Sequence, residues 1–282
     1  PLLVRPSELM SANALIQGTN NIGMLLGPAI SGVMIALINA ENVLFVNSAT
    51  FLLSALCLMP IRFSIPHVAA RDASSSVWDE LKVGFRFVFG QQPMVLTLVI
   101  ISSLYNLGVS AFVFILPVYA KEFLQVGPVQ LGWLWSALGV GMLAASTWLA
   151  WKKQSDMQGR LRIVVSGMTI GGLAVCSLSL LETPLVAAAI VIIVGGSTAV
   201  LNPIVWAVLQ EVTPEHLIGR VLTTFSVGSM ASAMAGMTGF GWVADARGPA
   251  TSLMGLGLVL LLTAAVAVSC VRRARPVLVA QA

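Results

Sequence analysis

The sequence predicts an all-α, polytopic membrane protein with eight membrane-spanning helices, and three observations carry that prediction. Hydrophobic residues fill 57% of the 282 positions and charged residues only 9%, with a mean hydropathy of +0.94, whereas soluble domains carry roughly one-quarter charged residues. The charges gather in short clusters between long apolar stretches, so the chain alternates spans and loops rather than building one large core. Windows of about 20 apolar residues recur, each long enough to cross roughly 30 Å of hydrocarbon. They lie at about 12–38, 43–60, 94–118, 130–151, 163–181, 185–209, 221–244 and 250–270, and runs that long and continuous satisfy their backbone in lipid as helices rather than as barrel strands.

The first span carries Asn13, Gln17, Asn20 and Asn21 along one broad face, then Gly23, Gly27, Pro28 and Gly32. Glycines remove side chains from a helix face and admit a neighbouring backbone, while Pro28 frees a carbonyl one turn back and can bend the helix. That combination fits a gate or ordinary close helix packing. After the second span the stretch 62–92 is the one long connection, and it reads as a linker between domains 1–61 and 93–282. Ser76 precedes Asp79 at capping-box spacing, and Trp78, Leu81, Phe85 and Val88 recur opposite Asp79, Lys82 and Arg86. This predicts a short amphipathic helix on the membrane surface.

The third span sets Ser102, Ser103, Asn106 and Ser110 on one face, with Asn106 near mid-depth. In the fourth, Gly139-Val140-Gly141 followed by Ala144 mimics a dinucleotide fingerprint, but no strand precedes it, so no cofactor is expected. Trp148 and Trp151 beside Lys152 and Lys153 fit an interfacial belt. The sixth span repeats Thr198, Asn202, Trp206 and Gln210 every four residues, with Pro203 loosening the backbone beside Asn202. Amides and hydroxyls are costly in lipid unless they face protein or water, so Asn20, Asn106, Asn202 and Trp206 are candidates for a substrate path. Interhelical hydrogen bonding, worth about 1 kcal/mol per contact, is the alternative at these positions.

Charge placement orients the chain. With a cytoplasmic amino terminus, the inner segments hold thirteen of the fifteen Lys and Arg residues and the outer loops only Lys121 and Arg247, a positive-inside asymmetry that puts both termini in the cytoplasm. No Asp, Glu, Lys, Arg or His lies near the middle of a span. His67 and His216 fall in loops, which suggests neither a metal site nor a histidine relay. The cysteines Cys57, Cys176 and Cys270 sit in apolar stretches and read as reduced packing residues. No nucleophile with a base and no paired carboxylates lie at depth, so an enzyme is not expected. Basic residues are not interleaved with aromatics, so nucleic acid is not an expected partner.

A repeat bears on organisation. Val4-Arg5-Pro6-Ser7-Glu8-Leu9 precedes the first span and Val212-Thr213-Pro214-Glu215-His216-Leu217 precedes the seventh, 208 residues apart between positions 4 and 212. A repeat six helices apart implies two six-helix halves. The first two spans then correspond to the fifth and sixth of twelve, and four preceding helices are expected to be missing.

These residues resemble the major facilitator superfamily. Gly23 to Gly32 is similar to the Gly-x-x-x-Gly-Pro-x-x-Gly-Gly motif on the fifth helix of its drug/proton antiporters, with Ser31 at the first terminal glycine. The box with Pro6, Glu8, Ala12 and Asn13, and the box Gln210 to Glu215 with Pro214, followed by Gly219, Arg220 and Val221, resemble the branch of enterobactin-exporter-like and macrolide-efflux-like proteins. The loop Lys152 to Arg162 keeps Asp156, Gly159 and Arg160 of the family's Asp-Arg-x-Gly-Arg loop, while Trp148 and Trp151 replace its small-residue lead-in. The resemblance implies helices five to twelve of a twelve-helix fold in a bacterial inner membrane, monomeric when complete. It implies secondary transport by alternating access: efflux of a small amphipathic molecule by proton antiport, with the third and sixth spans lining the cavity. An importer or lipid transporter of the same fold is the alternative, and an incomplete, non-transporting helical fragment is another.

Overall fold

A computed structural model of the chain describes residues 9–60, 85–86, 90, 93–152, 157–214 and 217–279, with side chains at these positions except 9–18, 21, 93 and 270–279. Among the described residues the secondary structure is entirely helical. Seven α-helices follow one another: α1 (Leu9–Leu58), α2 (Pro93–Val118), α3 (Pro128–Trp151), α4 (Met157–Leu178), α5 (Pro184–Val212), α6 (Ile218–Arg247) and α7 (Pro249–Val279). A π-helical turn, Tyr119–Phe123, extends α2. Proline opens α2, α3, α5 and α7, where its missing N–H costs no hydrogen bond and its fixed φ suits the first turn.

Six runs are long and apolar enough to cross a membrane, against the eight windows expected. Two features account for the difference. The first two windows fall in one helical run, Ile22–Leu58, interrupted at Asn39 by φ 66° and ψ 159°. The helix α6, which contains the seventh window, is not among the six; its sequence is rich in Ser, Thr and Gly. The amphipathic helix expected between Ser76 and Val88 lies, apart from Phe85 and Arg86, outside the described residues. So do Val4 to Glu8 of the first box, Asp156, Glu215 and His216.

The core lies among α2, α4, α5 and α7, where Phe112, Leu116, Met168, Leu209 and Leu253 are buried. Tyr119 closes one end of it. Its Oη stands 2.7 Å from Leu178 O and 2.8 Å from Leu181 O, so its one hydroxyl proton is shared between carbonyls at and just beyond the end of α4, where Leu178 O also accepts from Leu181 N at 3.3 Å. Gly248, at φ 87°, turns the chain from α6 into α7, its N–H donating to Ala244 O at 2.8 Å. A residue with a Cβ would be strained there.

Small residues set the helix spacing, as expected where lipid supplies no hydrophobic drive between helices. α3 is held between α1 and α5. A Cβ on Gly139 would meet Met24 O at 3.1 Å, whereas one on Gly141 would run into Ile192 O of α5. The Gly139-Val140-Gly141 stretch is therefore a two-sided packing element. Likewise α6 lies against α2, since a Cβ on Gly236 would collide with Leu107 O. Cys176 packs between α4 and α7 beside Gly257 and is free, as is the exposed Cys57.

Candidate functional site

The polar residues expected on α2 meet α6. Asn106 is half-buried, and its Nδ2 donates to Ser102 O, one turn back on α2, at 2.9 Å. It also approaches Ser229 Oγ on α6 at 3.5 Å, long for a hydrogen bond. Backbone Ser102 O can only accept, which fixes the amide with its nitrogen on that side and its Oδ1 turned away. A turn earlier on α6, the buried Phe225 ring meets Trp206 of α5 edge to face, with centroids 5.9 Å apart and planes at 79°. This geometry suits the aromatic quadrupoles.

One face of α6 thus links two of the four sequence candidates, Asn106 on α2 and Trp206 on α5. Phe225 and Ser229, which make the link, were not among the candidates. The only signal was the low apolar content of that span, with Thr223, Thr224, Ser226, Ser229 and Ser232 in one stretch. Asn202 is exposed one turn before Trp206, and Asn20 is exposed on α1. Neither has a hydrogen-bond partner among the described residues, so the structure does not bring Asn20 to the α2–α5–α6 group.

The α1 glycine motif divides. Gly32 lies against the first turn of α3, where its Cβ would be 2.6 Å from Pro128 O and 3.2 Å from Gly132 Cα. Gly132 in turn faces Pro28 O. Ser136 Oγ donates to Leu25 O at 2.6 Å, next to Met24 O, which loses its i+4 donor because Pro28 has no N–H. Gly23 and Gly27 are different: a Cβ at either meets nothing within 4 Å. The contacts run from Gly32 opposite Pro128 to Leu25 opposite Gly139, so the two helices are antiparallel and join along this stretch. Beyond it, Thr147, Trp148 and Trp151 of α3 are exposed.

At the Trp148 end, Lys152 Nζ sits 4.7 Å from the Trp148 ring centroid, a cation–π contact that anchors the belt. Arg160, at the start of α4, pairs with Glu211, at the end of α5, at 2.9 Å. Glu211 belonged to the expected loop box; its partner appears only in the fold. Arg160 Nε and Thr213 Oγ1 are buried without hydrogen-bond partners among the described residues. Gln210 and Pro214 are exposed, and Pro214 O accepts from Leu217 N at 2.9 Å. The Gly219 and Arg220 carbonyls accept from Thr223 and Thr224 hydroxyls in the first turns of α6.

Comparison with known proteins agrees with this arrangement of packed, mostly apolar helices. The chain is 28% identical over 262 residues to the multidrug efflux pump Tap of Mycolicibacterium fortuitum, covering 91% of this chain and 62% of that protein. It is 25% identical over 260 residues to Tap of Mycobacterium tuberculosis (strain ATCC 25618 / H37Rv), covering 91% and 60%. Against the enterobactin exporter EntS of Escherichia coli O1:K1 / APEC it is 27% identical over 272 residues, covering 93% and 63%. The chain spans about three-fifths of the length of these relatives. A family model described as the Major Facilitator Superfamily matches residues 2–237. With most of its length matched by that model, this chain of multi-pass helices belongs to the Major Facilitator Superfamily.

Proposed function

We propose that the chain forms part of a secondary carrier that exports a small amphipathic molecule by alternating access, with protons as the coupling ion. Residues 1–61 are the last two helices of one half, 62–92 the cytoplasmic linker and 93–282 the six-helix second half. The run Ile22–Leu58, 37 residues long, would measure about 55 Å if straight, nearly twice the hydrocarbon thickness. The break at Asn39 fits two spans with their turn outside. Counting α6 as a span then makes eight, helices five to twelve, with both termini cytoplasmic.

The observation that carries the reading is the α1–α3 seam. A helix of one assigned half meets a helix of the other through Met24, Leu25, Pro28 and Gly32, the close small-residue contact that two bundles pivoting about a mid-membrane site need between them. The relatives named as a multidrug efflux pump and an enterobactin exporter support export as the direction. The mixed amide and aromatic surface at Asn106, Asn202 and Trp206 supports an amphipathic solute rather than an ion.

The test is reconstitution of the complete carrier in sealed vesicles with an imposed proton gradient, following a preloaded amphipathic dye. Saturable, gradient-dependent export is expected; movement indifferent to the gradient overturns the antiport, and gradient-driven import overturns the direction. Asn202→Ala is expected to change the range of dyes exported without preventing insertion. Cysteine labelling is expected to find positions 41 and 182 outside and 71 and 156 inside, and the reverse pattern overturns the orientation.

A further inference from the structure

Hydroxyls in the helices of this protein are mostly satisfied by their own helix. Thr147, Thr169, Ser177, Thr223, Thr224, Ser226, Thr238 and Thr263 all donate to carbonyls three or four residues back, at 2.8 to 2.9 Å. Around Asn106 the pattern fails. Among the described residues, the hydroxyls of Ser102, Ser103 and Ser229 have no acceptor and Asn106 Oδ1 has no donor. Ser102 is fully buried, with its Oγ unpartnered. Unmet polar capacity on this scale inside an apolar span is costly, and its usual explanation is a ligand or water.

The unmet groups are of both kinds and adjacent. Asn106 Nδ2 donates to Ser102 O at 2.9 Å and lies 3.5 Å from Ser229 Oγ, while its Oδ1, which can only accept, has no donor among the described residues. Ser229, 3.5 Å from that amide nitrogen, keeps its O–H as a donor. Four residues back on the same face of α6, about 6 Å along the axis, Phe225 holds the Trp206 indole edge-on while that indole stays 37% exposed. A polar pair thus lies one helical turn from a fixed aromatic surface, and none of these four residues is charged.

We propose that Asn106 and Ser229 with Trp206 and Phe225 form one recognition surface for an uncharged group bearing both a hydrogen-bond donor and an acceptor, such as a carboxamide, attached to a flat apolar body. The donor meets Asn106 Oδ1, the acceptor meets Ser229 Oγ–H, and the flat body rests on Trp206 with Phe225 behind it. This rests on the carrier reading and deepens it by assigning the substrate's chemical class and making Ser229 a specificity residue.

Equilibrium dialysis of the complete, detergent-purified carrier tests it with three radiolabelled probes: 2-naphthamide, N,N-dimethyl-2-naphthamide, which lacks the donor, and 2-ethylnaphthalene, which lacks both groups. Affinity is expected to fall in that order, by about fivefold at each step. Asn106→Ala is expected to remove the first step and Ser229→Ala the second, each leaving 2-ethylnaphthalene binding unchanged, which also reports that the variant is folded. Trp206→Ala is expected to weaken all three by a common factor. Equal affinities for the probes, no binding of 2-naphthamide, or steps that survive both alanine variants overturn the proposal. If vesicles still show gradient-driven dye export in that case, only the recognition surface is wrong. If export too is absent, the carrier reading falls with it.

Discussion

Two faces of the α1 glycine motif contain the same residue type in opposite surroundings. At Gly32 another backbone is so near that a Cβ would stand 2.6 Å from Pro128 O, whereas at Gly23 and Gly27 it would meet nothing. The same contrast holds on a larger scale: 6% of the hydrophobic window in α1 is buried, against 33% to 50% in the other five spans. A glycine in a membrane helix therefore marks permission for close approach; whether a neighbour uses it depends on the fold. In this chain the neighbour on the used face is α3, which offers Gly132, Ser136 and Gly139.

Gly32→Leu should separate the two faces most clearly. Its side chain must displace the Pro128 carbonyl and Gly132, and overpacking of this kind costs about 1–3 kcal/mol or more. A fall in the melting temperature of the detergent-solubilised protein is expected, and an unchanged melt would mean the seam is not formed. Ser136→Ala removes the hydrogen bond to Leu25 O and should cost about 0.5–1.5 kcal/mol. Pairing it with Gly139→Ala in a double-mutant cycle should give a non-additive result, because both cover the carbonyls that Pro28 disturbs.

Glu211→Gln tests the ion pair between α4 and α5 and should be milder. Its carboxylate is half exposed, and such pairs contribute about 0.2–1 kcal/mol. The loss should shrink further in high salt, and a large, salt-independent loss would show that the buried Arg160 side of the pair dominates. The smallest effect on stability is expected for Gly27→Leu, within about 0.5 kcal/mol. In the complete carrier the same variant should reduce export more than insertion, as a gating role requires. Full export would assign the open face of the motif to neither packing nor gating.

Much of the helical layout was legible because bilayer thickness and backbone satisfaction leave few options. The apolar windows and the charge clusters between spans placed the boundaries of α2, α3 and α5 to within a few residues. The backbone break at Asn39 falls between the windows expected at 12–38 and 43–60, because the polar Asn39, Glu41 and Asn42 interrupt the apolar run there. Of the site candidates, Asn106 and Trp206 were visible as polar or amphipathic groups at depth, and the structure joins them through α6. Phe225 and Ser229 were invisible, because a phenylalanine in an apolar helix and a serine among many carry no signal until a partner helix faces them. Gly132 and Ser136 were missed for the same reason, and Gly139 was seen only as a false nucleotide motif.

By itself the sequence determined that this chain folds as membrane-crossing helices with sparse charge at their ends, because transfer free energy and backbone hydrogen bonding are properties of each segment alone. Only the tertiary structure decided which glycines touch a backbone, which hydroxyls are left without an acceptor beside Asn106, and that Arg160 finds Glu211. Those are relations between helices far apart in the chain, and in lipid they are set by close packing and hydrogen bonding between surfaces whose apolar compositions are nearly alike.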